Sequence, residues 1–313
     1  MSAMSSTSMI DPALDPGLPK KLFDYDVIDL IGQGAGSLIY VVTDPKTSQL
    51  LALKHVVRKN DKDDRFIEQL ENEFTVGSQV SHPGLRRSLE YKANRTLLRR
   101  VTEAALILEL FDGIPFEQQV PRNLTDLVAA FIQTAQALGA LHNAGWVHCD
   151  LKPNNILRDN KGQVKVIDLG QAAKNGTVKK RIQGTPDYMA PEQVKCKPVT
   201  FQTDVFNFGA TMYWALCGRK LPTLFNLKKT DNSFLVDDQM ASPRDITPTI
   251  PETLSNFVME CVRTSPSKRP QDMVEITRRL EIIEHTLHRK VQAPASANVH
   301  GYRANGASMR IAQ

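Results

Sequence analysis

The sequence predicts an α+β chain of two lobes: a small antiparallel β-sheet lobe with one main helix, then a larger, mostly α-helical lobe. Two observations carry this expectation. Residues 24–57 alternate apolar and polar positions with β-branched residues and glycine breaks, the period of half-buried strands. From about residue 123 the apolar spacing changes to that of helices, and no internal repeat interrupts it. At 313 residues the chain is long enough to bury most of its apolar surface without disulfide or metal support.

Each element follows from local pattern. "YDVIDLIG", "SLIYVVTD" and "LLALKHVV" read as a strand meander, with "DPKTSQ" as a hairpin turn. Residues 63–76 place Phe66, Leu70 and Phe74 at helical spacing on a charged background, and "ALILEL" (105–110) reads as a short buried strand. Leu127, Phe131, Thr134, Leu138 and Leu141 form one stripe of a helix that stops at the "NAGW" turn. Residues 1–22 and 290–313 are rich in small and polar residues without apolar period, so they are expected to be flexible tails. The small lobe is then expected over 23–110 and the large lobe over 111–289.

Composition narrows the function. The four cysteines, Cys149, Cys196, Cys217 and Cys261, show no CxxC pairing and no histidines at zinc spacing, which argues for a reducing, cytoplasmic setting. No leader-like apolar core opens the chain and no apolar run approaches the roughly 18–20 residues of a span, so no membrane partner is expected. The net charge of +5 is mild and intermixed, so no nucleic-acid partner is expected either.

Two stretches suggest phosphate chemistry. Gly32, Gly34 and Gly36 lie between two strand-like runs, where glycine lets the backbone approach a ligand and present N–H groups to phosphate oxygens. Alone, such a hairpin is as often a plain turn. Lys54 ends the apolar run "LALK", where a buried ammonium needs an anionic partner. Glu73, on the helix 19 residues later, can supply it, with Glu68 and Glu71 as competitors.

Five motifs in order, "GQGAGS", "LALK", "HCDLKPNN", "DLG" (168–170) and "GTPDYMAPE" (184–192), make the chain resemble a eukaryotic-type serine/threonine protein kinase catalytic domain. The likeness extends through "TDVFNFG" and "SPSKRP", about residues 24–285 in all. It implies a Mg²⁺-ATP-dependent phosphotransferase with defined roles for individual residues. Lys54, held by Glu73, would contact the α- and β-phosphates beneath the Gly32–Gly36 loop; Asn155 and Asp168 would hold magnesium. Asp150 would accept the substrate hydroxyl proton, and Lys152 would neutralise the γ-phosphate. By the same resemblance, Ile31, Ile39, Ala52, Leu108 and Leu157 would wall the adenine, with the backbone of Glu109 and Phe111 bonding its edge and Leu108 gating the back. Lys152 and Thr185 match the serine/threonine branch, so the expected partner is a protein bearing Ser or Thr, this chain itself included. Glu192 would pair with Arg269, and Asp204 would steady the catalytic loop.

Four positions depart from the family pattern. Ser37 stands at the third loop glycine, with Gly36 beside it, and Leu169 replaces a phenylalanine. Gly77, four residues past Glu73, stands where the family has a bulky apolar residue linking the lobes, so the helix is expected to be mobile and to need a dimer contact, a regulatory partner or ATP. Cys149 replaces the arginine before Asp150, which marks the non-RD subtype. An arginine there would pair with a phosphate on the activation segment. Segment 171–184 has Thr177 as its one hydroxyl residue beside Lys174, Lys179, Lys180 and Arg181, so activity is expected without phosphorylation there. A nucleotide-binding scaffold and a small-molecule phosphotransferase are the rival classes. The first is disfavoured because Lys54, Asp150, Asn155 and Asp168 are all present, the second by "GTPDYMAPE" and Arg269.

Overall fold

The computed structural model describes residues 17–34, 36–223 and 240–292. The small lobe is a six-stranded antiparallel sheet of order β1-β2-β3-β4-β6-β5, formed by β1 (Lys21–Leu22), β2 (Tyr25–Gln33), β3 (Leu38–Thr43), β4 (Leu50–Val57), β5 (Ser88–Arg95) and β6 (Val101–Glu109). One helix, α1 (Asp64–Gly77), packs on it. Strand alternation explains why the central strand has no solvated face. Leu51 and Leu53 of β4 enter one apolar cluster with Tyr40, Val42 and Ile107, while Ala52 and Val56 enter another with Ile67 and Leu70 of α1. Lys54 shares the second face, between Ala52 and Val56.

The large lobe follows the short β7 (Ile114–Pro115) and is built on α2 (Leu124–Asn143). Leu127, Phe131, Thr134, Leu138 and Leu141 are all buried there, each apolar side chain contributing roughly 1.5–3 kcal/mol of burial. By length and composition alone α2 could cross a membrane, but its apolar content is accounted for by packing in the large-lobe core. Asn123 caps α2 by accepting from the Thr125 N–H at 2.8 Å. Around it come β8 (Trp146–Val147), β9 (Ile156–Arg158), β10 (Val164–Val166), β11 (Ala173–Lys174), β12 (Thr177–Val178), α3 (Pro191–Val194) and β13 (Pro198–Val199). The helices α4 (Phe201–Cys217), α5 (Pro243–Ile246), α6 (Glu252–Cys261) and α7 (Met273–Gln292) complete the lobe.

The α+β, two-lobe expectation holds. Its limits shift where tails were expected: Lys21–Leu22 pairs with Tyr25 and Asp26 and buries Leu22, and α7 runs on to Gln292. The Lys20 carbonyl accepts from the Val27 N–H at 3.0 Å and Leu18 packs against the small-lobe cluster, whereas residues 1–16 and 293–313 of the expected tails lie outside the described residues. Strand β5, unread in the sequence, occupies the sheet edge; four of its eight residues are exposed and its pattern lacks the alternation that marks a half-buried strand.

Candidate active site

A cleft of about 940 Å³ separates the lobes. It is lined on one side by Ile31, Gly32, Gly34, Gly36, Ile39, Ala52 and Lys54, and on the other by Phe111, Asp150, Lys152, Asn155, Leu157 and Asp168. Leu108 and Glu109 are not among the lining residues. Leu108 is buried beside Ala52, its β4 partner, in the cluster shared with α1; of that cluster Ala52, Val56, Phe66, Leu70 and Leu110 line the cleft and Leu108 does not. The Glu109 side chain points to Lys165, from whose Nζ it accepts at 2.7 and 2.8 Å; the expectation for Glu109 concerned its backbone.

Helical geometry settles the choice of counter-ion for Lys54. Ile67, Leu70, Glu73 and Val76 recur at spacing three along the buried face of α1, whereas Glu68 and Glu71 are exposed. Lys54 Nζ donates to Glu73 Oε2 at 2.6 Å and to Asp168 Oδ1 at 3.0 Å. Burial alone would lower the Lys54 pKa, but the charges of Asp168 and Glu73 outweigh it and hold the ammonium above the ordinary lysine range. Burial likewise opposes ionisation of Asp168, and the Lys54 charge overrides it, keeping the carboxylate well below its usual range. Asp168 has φ +66°, a left-handed conformation that costs a non-glycine residue about 1–3 kcal/mol and clusters at functional sites.

The catalytic-loop candidates converge on one carboxylate. Asp150 Oδ1 accepts from Thr185 Oγ1 at 2.8 Å, and Lys152 Nζ bridges Asp150 Oδ2 at 3.2 Å and Thr185 Oγ1 at 2.9 Å. Asn155 Nδ2 donates to the Asp150 carbonyl at 2.9 Å, which commits its amide nitrogen and leaves Oδ1 as the donor oxygen for a cation. Below the loop, Asp204 is fully buried and accepts from the His148 and Cys149 N–H groups at 2.7 and 2.9 Å and from His142 at 2.8 Å. Burial would raise its pKa, but the His142 hydrogen bond and the charges nearby hold it down.

Among the described residues no group of three or more His, Cys, Asp or Glu can hold a metal. Asn155 and Asp168 offer two oxygen donors on one wall of the cleft, the sparse set that suits Mg²⁺ when phosphate oxygens and water complete its shell. The residues present therefore fit a magnesium ion that arrives with a nucleotide.

Two departures read differently in three dimensions. Gly77 is the last residue of α1, not an interior weakness: a Cβ there would lie 2.3 Å from Ser88 Oγ, which bonds the Glu73 carbonyl at 3.2 Å. The glycine admits β5 against the helix end, which corrects the expectation of a helix loosened at that point. Gly36 likewise sits against Phe66 of α1, whose ring would lie 2.3 Å from an added Cβ. Leu169 is buried, as expected of its apolar side chain. Cys149 is 1 % exposed among Val147, Val199 and Phe201. Burial pushes its thiol up to about 12 against the pull of the adjacent Lys179 ammonium, so it stays a thiol.

Several residues that organise the site carry no sequence signal of their own. Asn72 Nδ2 donates to the carbonyls of Leu169, Gly170 and Ala172 at 3.3, 3.1 and 2.9 Å, tying α1 to the segment after Asp168. Gln193 Nε2 donates to the Cys149 carbonyl at 2.7 Å, tying α3 to the catalytic loop. An amide side chain can do either only where the fold brings carbonyls to it; adjacency to Glu73 and Glu192 was the one hint.

A nucleotide-sized cleft between two lobes, with a paired lysine on one wall and an organised aspartate on the other, defines a phosphotransferase domain of the kinase type. The protein kinase domain model matches residues 25–285, so the chain belongs to that family. Its relatives include a mitogen-activated protein kinase kinase kinase, ANP1, of Arabidopsis thaliana, 30 % identical over 85 % of this chain and 42 % of its own length. The serine/threonine-protein kinase PknD of Chlamydia abortus is 26 % identical over 78 % of this chain and 29 % of its own. A probable serine/threonine-protein kinase of Clostridium acetobutylicum is 23 % identical over 83 % and 40 %. The chain thus spans less than half the length of each of these relatives.

Proposed function

We propose that the protein is a serine/threonine protein kinase, transferring the ATP γ-phosphoryl group to protein Ser or Thr hydroxyls. The observation that carries this is the Asp150 carboxylate, held at 2.8 Å by Thr185 and at 3.2 Å by Lys152, beside the Lys54–Glu73–Asp168 ion pairs. Phosphoryl transfer asks chiefly for alignment and charge neutralisation. Asp150 is placed to accept the proton of an incoming hydroxyl, and Lys54 and Lys152 bring two ammonium groups to where phosphate charge gathers. Asp168 and Asn155 are the residues that would hold Mg²⁺, which supplies charge neutralisation between phosphates when bound.

We further propose a non-RD enzyme whose activity does not depend on a phosphorylated activation segment. Three features support this. Cys149 cannot receive a phosphate, the segment is fastened by β11–β8 and β12–β13 pairing, and Lys179 donates to the Gln171 carbonyl. Thr177, the segment's one hydroxyl residue, is itself paired with Val199. Self-phosphorylation, a cytoplasmic location and the absence of nucleic-acid and membrane partners belong to the same proposal. The test is to incubate the protein and its Asp150→Asn variant with labelled ATP, Mg²⁺ and a Ser/Thr peptide library, then map the label. Label above the variant on Ser and Thr is the expected result; equal label in both would favour a nucleotide-binding scaffold.

A further inference from the structure

The back of the cleft holds a charged side chain that the family motifs do not account for. Arg86 precedes β5, lines the cleft and is only 8 % exposed. Its Nη2 lies 3.5 Å from Glu73 Oε1, while the other carboxylate oxygen of Glu73 takes Lys54. Glu73 is therefore flanked by two cations, one on each oxygen.

The backbone of Arg86 belongs to the other lobe's framework. Its N–H donates to the Val166 carbonyl at 3.1 Å, the Val166 N–H donates to the Gly84 carbonyl at 2.8 Å, and Leu85 bridges Val166 in parallel. Val166 is in β10 of the large lobe, packed on α2. A side chain rooted on the large lobe thus reaches the carboxylate that α1 presents to Lys54. At Gly77 an added Cβ would lie 2.3 Å from Ser88 Oγ, so position 77 of α1 has no room for an apolar side chain.

Stability alone does not account for an arginine in this place. Its Nε is buried without a hydrogen-bond partner, and burying a guanidinium with an unmet N–H is unfavourable. A methionine spans a similar length without that penalty.

We propose that Arg86 is a positioning residue that couples the lobes by holding Glu73, and through it Lys54, in register with the large-lobe half of the site. The proposal rests on the kinase function above. It assigns to one ion pair the linkage that an apolar residue at position 77 would otherwise make, so α1 needs no partner to stay engaged.

The experiment compares Arg86→Met, Arg86→Lys and the exposed neighbour Arg87→Met, each alone and with Glu73→Gln, in steady-state kinetics and thermal melts. Arg86→Met should melt no lower than the parent yet lose about tenfold in kcat/KM for ATP, with KM for the peptide unchanged. Arg86→Lys should recover at least half of the loss on a logarithmic scale, and Arg87→Met should behave as the parent. In the Glu73→Gln background Arg86→Met should cost less than about twofold, since residues acting through one another are not additive. A parent-like kcat/KM in Arg86→Met, or the same loss in both backgrounds, would overturn the proposal. A parent protein indistinguishable from Asp150→Asn would instead remove the kinase function itself.

Discussion

The Glu192–Arg269 pair gives the sharpest stability prediction, because its two possible readings differ several-fold in energy. As a surface salt bridge it would contribute about 0–1 kcal/mol. In the structure both side chains are buried, with 7 % and 0 % exposure, and the contact is bidentate at 2.8 and 3.0 Å. The other guanidinium donors go to the carbonyls of Arg263, Gln202 and Thr264 at 2.7, 2.7 and 3.2 Å. Arg269→Met removes all of these and leaves Glu192 buried with the Thr203 hydroxyl, at 2.9 Å, as its remaining donor. Removing one partner of a buried pair costs about 3–5 kcal/mol. At about 2–4 °C per kcal/mol for a domain of this size, the melting temperature should fall by roughly 6–20 °C. The double variant Glu192→Gln/Arg269→Met should melt above Arg269→Met, because no uncompensated carboxylate remains. Differential scanning calorimetry decides: a single variant within about 2 °C of the parent would refute buried-pair energetics at this site.

Thr177→Ala should leave kcat/KM on a peptide substrate within about threefold of the parent, and a loss beyond about tenfold would contradict phosphate-independent ordering of the segment. Intact folded protein treated with iodoacetamide at pH 8 should show Cys149 unmodified by peptide mass mapping while Cys196, which is less buried, reacts first. Gly77→Ala should destabilise by about 1–3 kcal/mol through overpacking on Ser88, and Ser88→Gly should relieve it; equal denaturant midpoints for parent and Gly77→Ala would show the helix end to be loose. For Lys54→Met the pH dependence carries a sign. The Asp168 pKa is depressed, so its share of stability is complete above the ordinary 3.8 and fades as pH falls through the folded value. That of Lys54 is raised, so its share is complete below the ordinary 10.5 and fades as pH rises through the folded value. The destabilisation by Lys54→Met should therefore be flat from about pH 6 to 9 in urea melts, and a slope across that window would count against the pairing.

Legibility in the sequence tracked how narrowly chemistry limits the residue type. The roles proposed for Lys54, Asp150, Asp168 and the Gly32–Gly36 loop admit few residue types, so these positions stand out in the sequence, and the cleft does bring them together. Periodicity sufficed for α1, whose buried residues fall on one face, and the apolar stripe sufficed to find α2, which is buried over most of its circumference. It also held the answer for Glu73, since its phase matches Ile67 and Leu70 while that of Glu68 and Glu71 does not. The edge strand β5 and the paired Lys21–Leu22 have no such phase, and Leu108 was assigned by motif position, which does not show whether the side chain reaches the cleft.

Gly77 shows why the remainder could not be read in one dimension. Considered along the chain, a glycine is a propensity penalty and a missing side chain. Considered in space, it is half of an exchange of volume: Ser88 enters the room that a Cβ would fill, and Arg86, anchored on Val166, delivers charge to Glu73 from the large lobe. Arg86 and Ser88 lie 9 and 11 positions after Gly77, on a connecting segment and on a strand that the sequence pattern did not announce. No local rule links them, because what they share is a contact and not a period. The same holds for Asn72 and Gln193, whose amides have meaning only beside the carbonyls they reach. Motifs therefore locate the candidate groups that line the cleft, whereas the groups that hold those in register are set by packing between elements distant in the chain. That division predicts where variation in control should arise in this chain: at Arg86, Asn72 and Gln193, around the cleft residues that they hold.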